Sequence, residues 1–431
     1  MLRKSITERH RICFVKLRGA KVWNKIYLSV NQTLFTTLLH PLEAIIASRS
    51  EIIDQASNSE KLFFADFVKK LLFGYVYQAS SLRNLSLELQ TNQICRELGL
   101  HYTPFSTLKD GFSRFASEHF KKLFESALER VNLRTVKQLD EMGSLRVIDG
   151  SLFPTLAQMS WTNYRKTKNA FKLHLCFELN RMIATEFWVG KGNSSEREFL
   201  ASVLEKGCTY IADRGYFSFA MAAKVLQVGA FFVFRGKANW LYEVAGKLPL
   251  SAGTVPPCFR NVTDEIVVFR NDEQHHRLRM ITFTVAGSYF RLITNRFDIS
   301  PLKVIILYAY RWQIELFFKF IKRTLKGLHL FNHSRNGVEI QFYLIMTLAV
   351  LLLRLKQACQ ARGKTAVKKA GWARKAAEQS VMRAESPPEW IRNIAQVFYE
   401  AWKISKNWLV ILKNSLAQVV DNPLLDLLNS A

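Results

Sequence analysis

The segment Leu307–Lys326, LYAYRWQIELFFKFIKRTLK, constrains the fold more than any other part of the chain. At about 100° per residue, a helix sets Arg311, Glu315 and Lys322 within ~60° of Tyr308, along roughly 21 Å. Lys319 and Lys326 flank that stripe, and Ile314, Leu316, Phe317, Phe320, Ile321 and Leu325 cover the other sides. A helix that is apolar almost all round packs deep, and this one keeps a single open face. One carboxylate sits there among cations and a phenol. A solvated polar stripe has the same outline, but a row of cations beside a deeply packed helix is costly unless an anion docks on it. Phosphates suit such a face, with Arg giving bidentate contacts and Lys point contacts.

Upstream, the chain changes character. Residues 1 to 140 read as helical. Ser81–Gln90 and Asn92–Leu98 are short helical patterns, Gly99 is a natural stop, and Ser106 is expected to cap a third helix to about Ala116. Three short helices around a turn resemble a helix-turn-helix, and a plain helical bundle fits them equally well. From 145 the pattern alternates. A strand Leu145–Ile148 ends in Asp149-Gly150, and strands follow at 171–179 and 183–189. Ser194 or Ser195 caps a helix carrying Glu196 and Glu198, and a strand Thr209–Ala212 ends in Asp213. A helix near 219–227 leads to a strand at 230–234. The expected class is α/β, a mixed sheet with helices on it.

Residues 236–296 read as a β-rich insertion, with strands at 265–269, 277–285 and 288–294, the last two joined at Ala286-Gly287. Ser300-Pro301 then opens the long helix. The expected division is a helical region 1–140, a core in two parts, 141–235 and 297–360, the insertion 236–296 between them, and a basic helical region 361–431. Lys364, Lys368, Lys369, Arg374 and Lys375 lie in that last region and could bind DNA or be merely solvated.

The chain carries 61 Lys and Arg against 35 Asp and Glu, a net charge of +26, which favours a polyanionic partner. Its six cysteines are scattered, with no zinc spacing, as expected of a reduced protein. Arg3, Lys4, Arg9 and Arg11 precede no apolar stretch, so no signal peptide is expected. Phe342–Leu353 is too short to span a bilayer and reads as a buried core helix.

Tyr308, Arg311, Glu315 and Lys322, at those three spacings, match the YREK signature, and the chain resembles the type-four insertion-sequence transposases. The flanking Tyr310-Arg311-Trp312-Gln313-Ile314-Glu315 and Leu292-Ile293-Thr294-Asn295 are similar to that family too, as is Asp213-Arg214-Gly215-Tyr216. The resemblance covers roughly residues 80–355. It implies an RNase H-like core whose Asp149, Asp213 and Glu315 form a catalytic DDE triad holding two Mg²⁺ ions, with Mn²⁺ able to substitute. Tyr308, Arg311 and Lys322 would grip DNA phosphates, with Lys319 on the same stripe. It further implies a bacterial, nucleoid-associated protein that binds an element's terminal inverted repeats, cleaves them, joins them to target DNA, and works as a homodimer on paired ends. A DNA-binding regulator or catalytically inactive relative is the alternative, and a nuclease that cuts without joining is a third reading.

Taken alone, an Asp before Gly more often marks a turn than a catalytic site. The triad rests on order and context: Asp213 follows Asp149 by 64 residues, and Glu315 follows Asp213 by 102, the longer interval containing the insertion. Further candidates are weaker. Arg235 is a DNA contact or an ordinary strand-end cation. Trp240 stacks on a flipped base or packs within the insertion. Glu196 and Glu198 are accounted for by the helix dipole. His275-His276 reads as a polar hairpin loop rather than a metal site.

Overall fold

The computed structural model describes residues 20–378, apart from 58–61, 134, 136, 156–158, 166–167, 238, 251–258, 286–287, 326 and 328. The N-terminal cations, Ala286-Gly287, Lys326 and the tail beyond 378 lie outside the described residues. The described residues divide into two compact units, one of 20–111 together with 358–378 and one of 112–357.

The first unit is helical: α1 (Ala20–Ser57), α2 (Phe64–Val76), α3 (Leu82–Thr91), α4 (Gln93–Glu97) and the start of α5 (Phe105–Arg114). Ser81 caps α3 by accepting the Asn84 N–H, and Asn92 caps α4 by accepting that of Ile94. Gly99 adopts φ +68°, the left-handed stop expected of it. Ser106 does not cap α5. The helix begins two residues earlier, at Phe105, with Leu108 N–H bonded to the Pro104 carbonyl. Proline needs no N–H partner and holds a helical φ, so Pro104 opens the turn itself. Buried Lys70 donates to Thr103 Oγ1 at 2.8 Å and so pins the segment leading into α5.

The second unit opens with α6 (Ser117–Arg130) and α7 (Lys137–Asp140), then builds its sheet from β1 (Leu145–Pro154), β2 (Asn163–Arg165), β3 (Lys168–Glu178) and β4 (Ile183–Lys191). Next come α8 (Glu196–Ser202), β5 (Thr209–Ala212), α9 (Phe219–Val228) and β6 (Phe231–Arg235). β3 runs antiparallel to both β1 and β4, while β5 is parallel to β1 and β6 parallel to β5. The order β4-β3-β1-β5-β6 is that of an RNase H-like core. β1 does not end at Ile148. Its ladder with β3 continues from Arg146↔Glu178 to Pro154↔Ala170, so Asp149 lies inside the strand.

The insertion forms β7 (Tyr242–Lys247), β8 (Arg260–Phe269), β9 (Leu278–Val285) and β10 (Ser288–Thr294). β10 pairs with β6, which makes one ten-stranded sheet ending at β7. β7 carries no clear alternation in sequence and was not anticipated. Buried Arg279 donates to both Asp264 oxygens (2.8 and 2.6 Å) and to the carbonyls of Arg296 and Ile299. Arg296 reaches on to Met142 O and Thr209 Oγ1, at the foot of β5. The insertion is thereby fixed to the core strands by buried guanidinium groups as well as by the ladder.

α10 (Pro301–Tyr310) and α11 (Trp312–Lys319) follow, then a π turn, Phe320–Thr324. Ser300 caps α10 with Pro301 in its first turn, as expected. The expected single helix is thus three pieces. At Arg311 the bonds tighten to i→i+3, and in the π turn they widen. The last helix, α12, runs Arg335–Glu378. Its Arg335–Gln357 portion is long and apolar enough to cross a membrane by length and composition, yet 67% of that window is buried in the protein. Phe342 packs edge-on against Phe153 and Phe171, which makes it a core helix against the sheet.

Candidate active site

The register of the parallel β1–β5 pair relates Asp149 to Asp213. β1 and β5 pair as Leu145↔Thr209, Arg146↔Tyr210 and Val147↔Ile211, an offset of 64. The two aspartates are separated by the same 64 residues. Asp149 lies two residues past the last of these pairs, inside β1, and Asp213 lies two past it, directly after the end of β5. Alternation sets Asp149 on the β1 face shared by Val147 and Ser151.

That face is met by α10 and α11. Arg311 lies between two of the carboxylates. Its Nη1 is 3.6 Å from Asp149 Oδ2, and its Nη2 donates to Glu315 Oε1 at 2.7 Å. Tyr308, buried at 8% exposure, donates its hydroxyl to Asp213 Oδ1 at 3.3 Å and carries the Arg311 guanidinium over its ring. Tyr308 thus reaches Asp213, and Arg311 reaches both Asp149 and Glu315. Among the described residues, no three His, Cys, Asp or Glu side chains are gathered closely enough to hold one ion directly.

Burial pushes the Asp149 carboxyl up to about 6. The Gly150 N–H and Arg311 oppose this, while Glu315 and Glu196 push the same way. Carboxylate oxygens are the kind of donor that a hard divalent cation takes. Burial also raises the Tyr308 hydroxyl.

Lys322 sits in the π turn and reaches β1, donating to Ser151 Oγ and to the Leu152 carbonyl, each at 2.8 Å. Its ammonium lies 4.6 Å from the centre of the Phe153 ring, and burial lowers its pKa. Lys319 points elsewhere, over the exposed Trp312 ring at 5.2 Å. Arg235 stacks on Phe290 at 4.9 Å, and Phe290 in turn meets Tyr308, so Arg235 borders the site. Trp240 packs among Phe217 and Phe269 and lies against Gly236, on the opposite sheet face. His276 bonds Asp272 within the turn between β8 and β9.

Two residues beside the site escaped the sequence reading. Ser151 shares the Asp149 face and anchors Lys322. Glu196, assigned to the helix dipole, reaches back to Lys172 on β3. A signal for it was present in the glycines that follow Asp149 and Asp213.

A family described as "Transposase DDE domain" matches residues 140–352. The chain is 26% identical over 215 residues to a putative transposase of Sinorhizobium fredii, covering 49% of this chain and 60% of that one. It is 22% identical to a probable transposase for an insertion sequence element of Geobacillus stearothermophilus, covering 59% and 68%, and 24% identical to a putative transposase for an insertion sequence element of Synechocystis, covering 54% and 65%. The match thus spans about three fifths of the Sinorhizobium relative's length. A cryo-EM structure of the piggyBac transposase synaptic complex with hairpin DNA aligns at a TM-score of 0.42 and 10% identity, over 90% of this chain and 84% of that one. Residues 140–352 are thus similar to the transposase DDE domain family.

Proposed function

We infer that this chain is the transposase of an insertion sequence, and that it cuts DNA at the element's terminal inverted repeats and joins the freed ends to target DNA. Asp149, Asp213 and Glu315 are the catalytic carboxylates and would hold two Mg²⁺ ions, or Mn²⁺ in their place. Such ions, when bound, stabilise the incoming and leaving oxygens at phosphorus. The observation that supports this reading is that Arg311 contacts both Asp149 and Glu315 while Tyr308, one turn before it, bonds Asp213.

The chain's own residues divide the remaining work. Arg311 and Lys322 present cations to backbone phosphates, and the Tyr308 phenol orients Asp213 and offers a hydroxyl to the same phosphates. Lys322 is held on the Asp149 face by Ser151. Arg235 extends the basic border, and Lys319 with Trp312 offers a separate exposed cation and ring. Trp240 is a packing residue on this reading. Residues 1–140 bind the terminal repeats, and two copies pair two ends in a synaptic homodimer in the bacterial cytoplasm.

The test is incubation of the purified protein with plasmid carrying its gene and native flanks, with Mg²⁺ or Mn²⁺, beside Glu315→Ala. Metal-dependent breaks at the two element boundaries, absent in the variant, are the expected result. Binding at the ends without metal-dependent cutting would overturn the catalytic reading in favour of a DNA-binding regulator.

A further inference from the structure

The insertion reaches the site through Phe290. This residue stands in β10, the strand that joins the insertion to β6, and Leu292 pairs with Arg235 across that ladder. Alternation along β10 puts Phe290 and Leu292 on one face, and the pairing puts Arg235 there too. The β5–β6 ladder ends at Ala212↔Phe234, so the next residues along the two strands are Asp213 and Arg235. On β9, Phe283 pairs directly with Phe290, and the two rings stack at 5.2 Å between centres, 6° from parallel. The other sides of Phe290 serve the site. The Arg235 guanidinium lies 4.9 Å from its ring centre, and the Tyr308 ring meets it at 6.5 Å, inclined by 61°.

Arg235, Phe290, Tyr308 and Arg311 thus form a row in which two rings join two cations, for the Arg311 guanidinium lies 5.8 Å from the Tyr308 ring centre. Tyr308, in the middle of the row, carries the hydroxyl that reaches Asp213. A ring face attracts a guanidinium yet bears no net charge. It therefore fixes the direction of the Arg235 cation and leaves that charge for a phosphate. A carboxylate in the same place would neutralise it. Packing alone accounts for the stack on Phe283. It does not account for an aromatic side chain where half-buried Phe290 meets Arg235, since an aliphatic one would cover Tyr308 as well.

We propose that Phe290 is a positioning residue, through which the insertion aims Arg235 and the Tyr308 phenol at the DNA backbone. This rests on the reading of Arg235 and Tyr308 as phosphate-facing groups. The face of the ring orients the guanidinium, and its contact with Tyr308 restrains the phenol bonded to Asp213. Phe283 on β9 holds the ring in place for both tasks. The insertion thereby shapes the site through Phe290 without a phosphate contact of its own at that position.

The probe is an end-labelled duplex from the native flank of the gene. Its affinity for the full-length protein is read by fluorescence anisotropy at fixed salt, without divalent cation, and thermal midpoints report folding. Phe290→Leu keeps an apolar side chain and removes the ring. It is expected to weaken binding about fourfold with little change in thermal midpoint, while Phe290→Tyr binds like the wild type. In an Arg235→Ala background, Phe290→Leu should cost markedly less, because the residue acts through that cation. Equal costs in the two backgrounds would mean that the ring touches the DNA itself, which would overturn the positioning role. So would a Phe290→Tyr variant that binds as weakly as Phe290→Leu. Wild-type affinity in Phe290→Leu with weakened binding in Arg235→Ala would make Phe290 a packing residue and leave the phosphate contacts standing. Wild-type affinity in Phe290→Leu, Arg235→Ala and Lys322→Ala alike would reject the proposal together with the reading of those cations.

Discussion

The Lys322 ammonium lies 2.8 Å from the Ser151 hydroxyl, across the gap between the π turn and β1. Removing that hydroxyl leaves the Leu152 carbonyl and the Phe153 ring to hold the ammonium. Loss of one such bond is worth ~1 kcal/mol, so Ser151→Ala should weaken binding to element-end DNA about fivefold. Fluorescence anisotropy at fixed salt checks this. Unchanged affinity in both Ser151→Ala and Lys322→Ala would remove Lys322 from the phosphate grip.

Asp264 and Arg279 are 3% exposed each and bonded to one another through both carboxylate oxygens. Asp264→Ala strands a guanidinium in the interior, a loss of about 3–5 kcal/mol. Urea unfolding should show a much lower midpoint. The paired change Asp264→Leu with Arg279→Met should recover most of it, because no charge is then left unpaired.

His174 is fully buried, and burial, helped by Lys172, lowers its pKa to about 4. Unfolded, it takes a proton near pH 6.5. The unfolded chain therefore binds the proton first as pH falls. Stability from this residue is complete above about pH 6.5 and declines through the window down to about pH 4, by roughly 3 kcal/mol. His174→Gln should flatten that part of the stability profile measured by urea titration, and an unchanged slope would refute the assignment.

Gly150→Ala forces Lys172 and His174 to move and should destabilise by about 1–3 kcal/mol. Gly143→Ala meets nothing within 4 Å but sits at φ +87°, so it should destabilise through backbone strain alone. The two are separable by Mn²⁺ binding, which Gly150→Ala should perturb and Gly143→Ala should not.

The sequence made much of the core legible, because its strands alternate and its helices carry caps that obey local rules, as at Ser81, Asn92 and Ser300. Local rules failed where pairing decides. An Asp-Gly step suggests a strand end, yet β3 continues the ladder past Asp149. The π turn under Lys322 has no signal in periodicity, since the residues there suit an ordinary helix. Glu196 was explained by the dipole of its own helix. What that explanation missed was Lys172 on another element, which only the folded sheet brings near.

The β10–β6 ladder has a consequence for anyone wishing to swap parts between such proteins. Excising residues 236–296 would strip the outer neighbour from β6 and leave a row of unsatisfied backbone groups along a flat edge, an invitation to aggregate. The insertion is not a cassette. It can be shortened from its far rim at β7, or exchanged only together with the strand it closes.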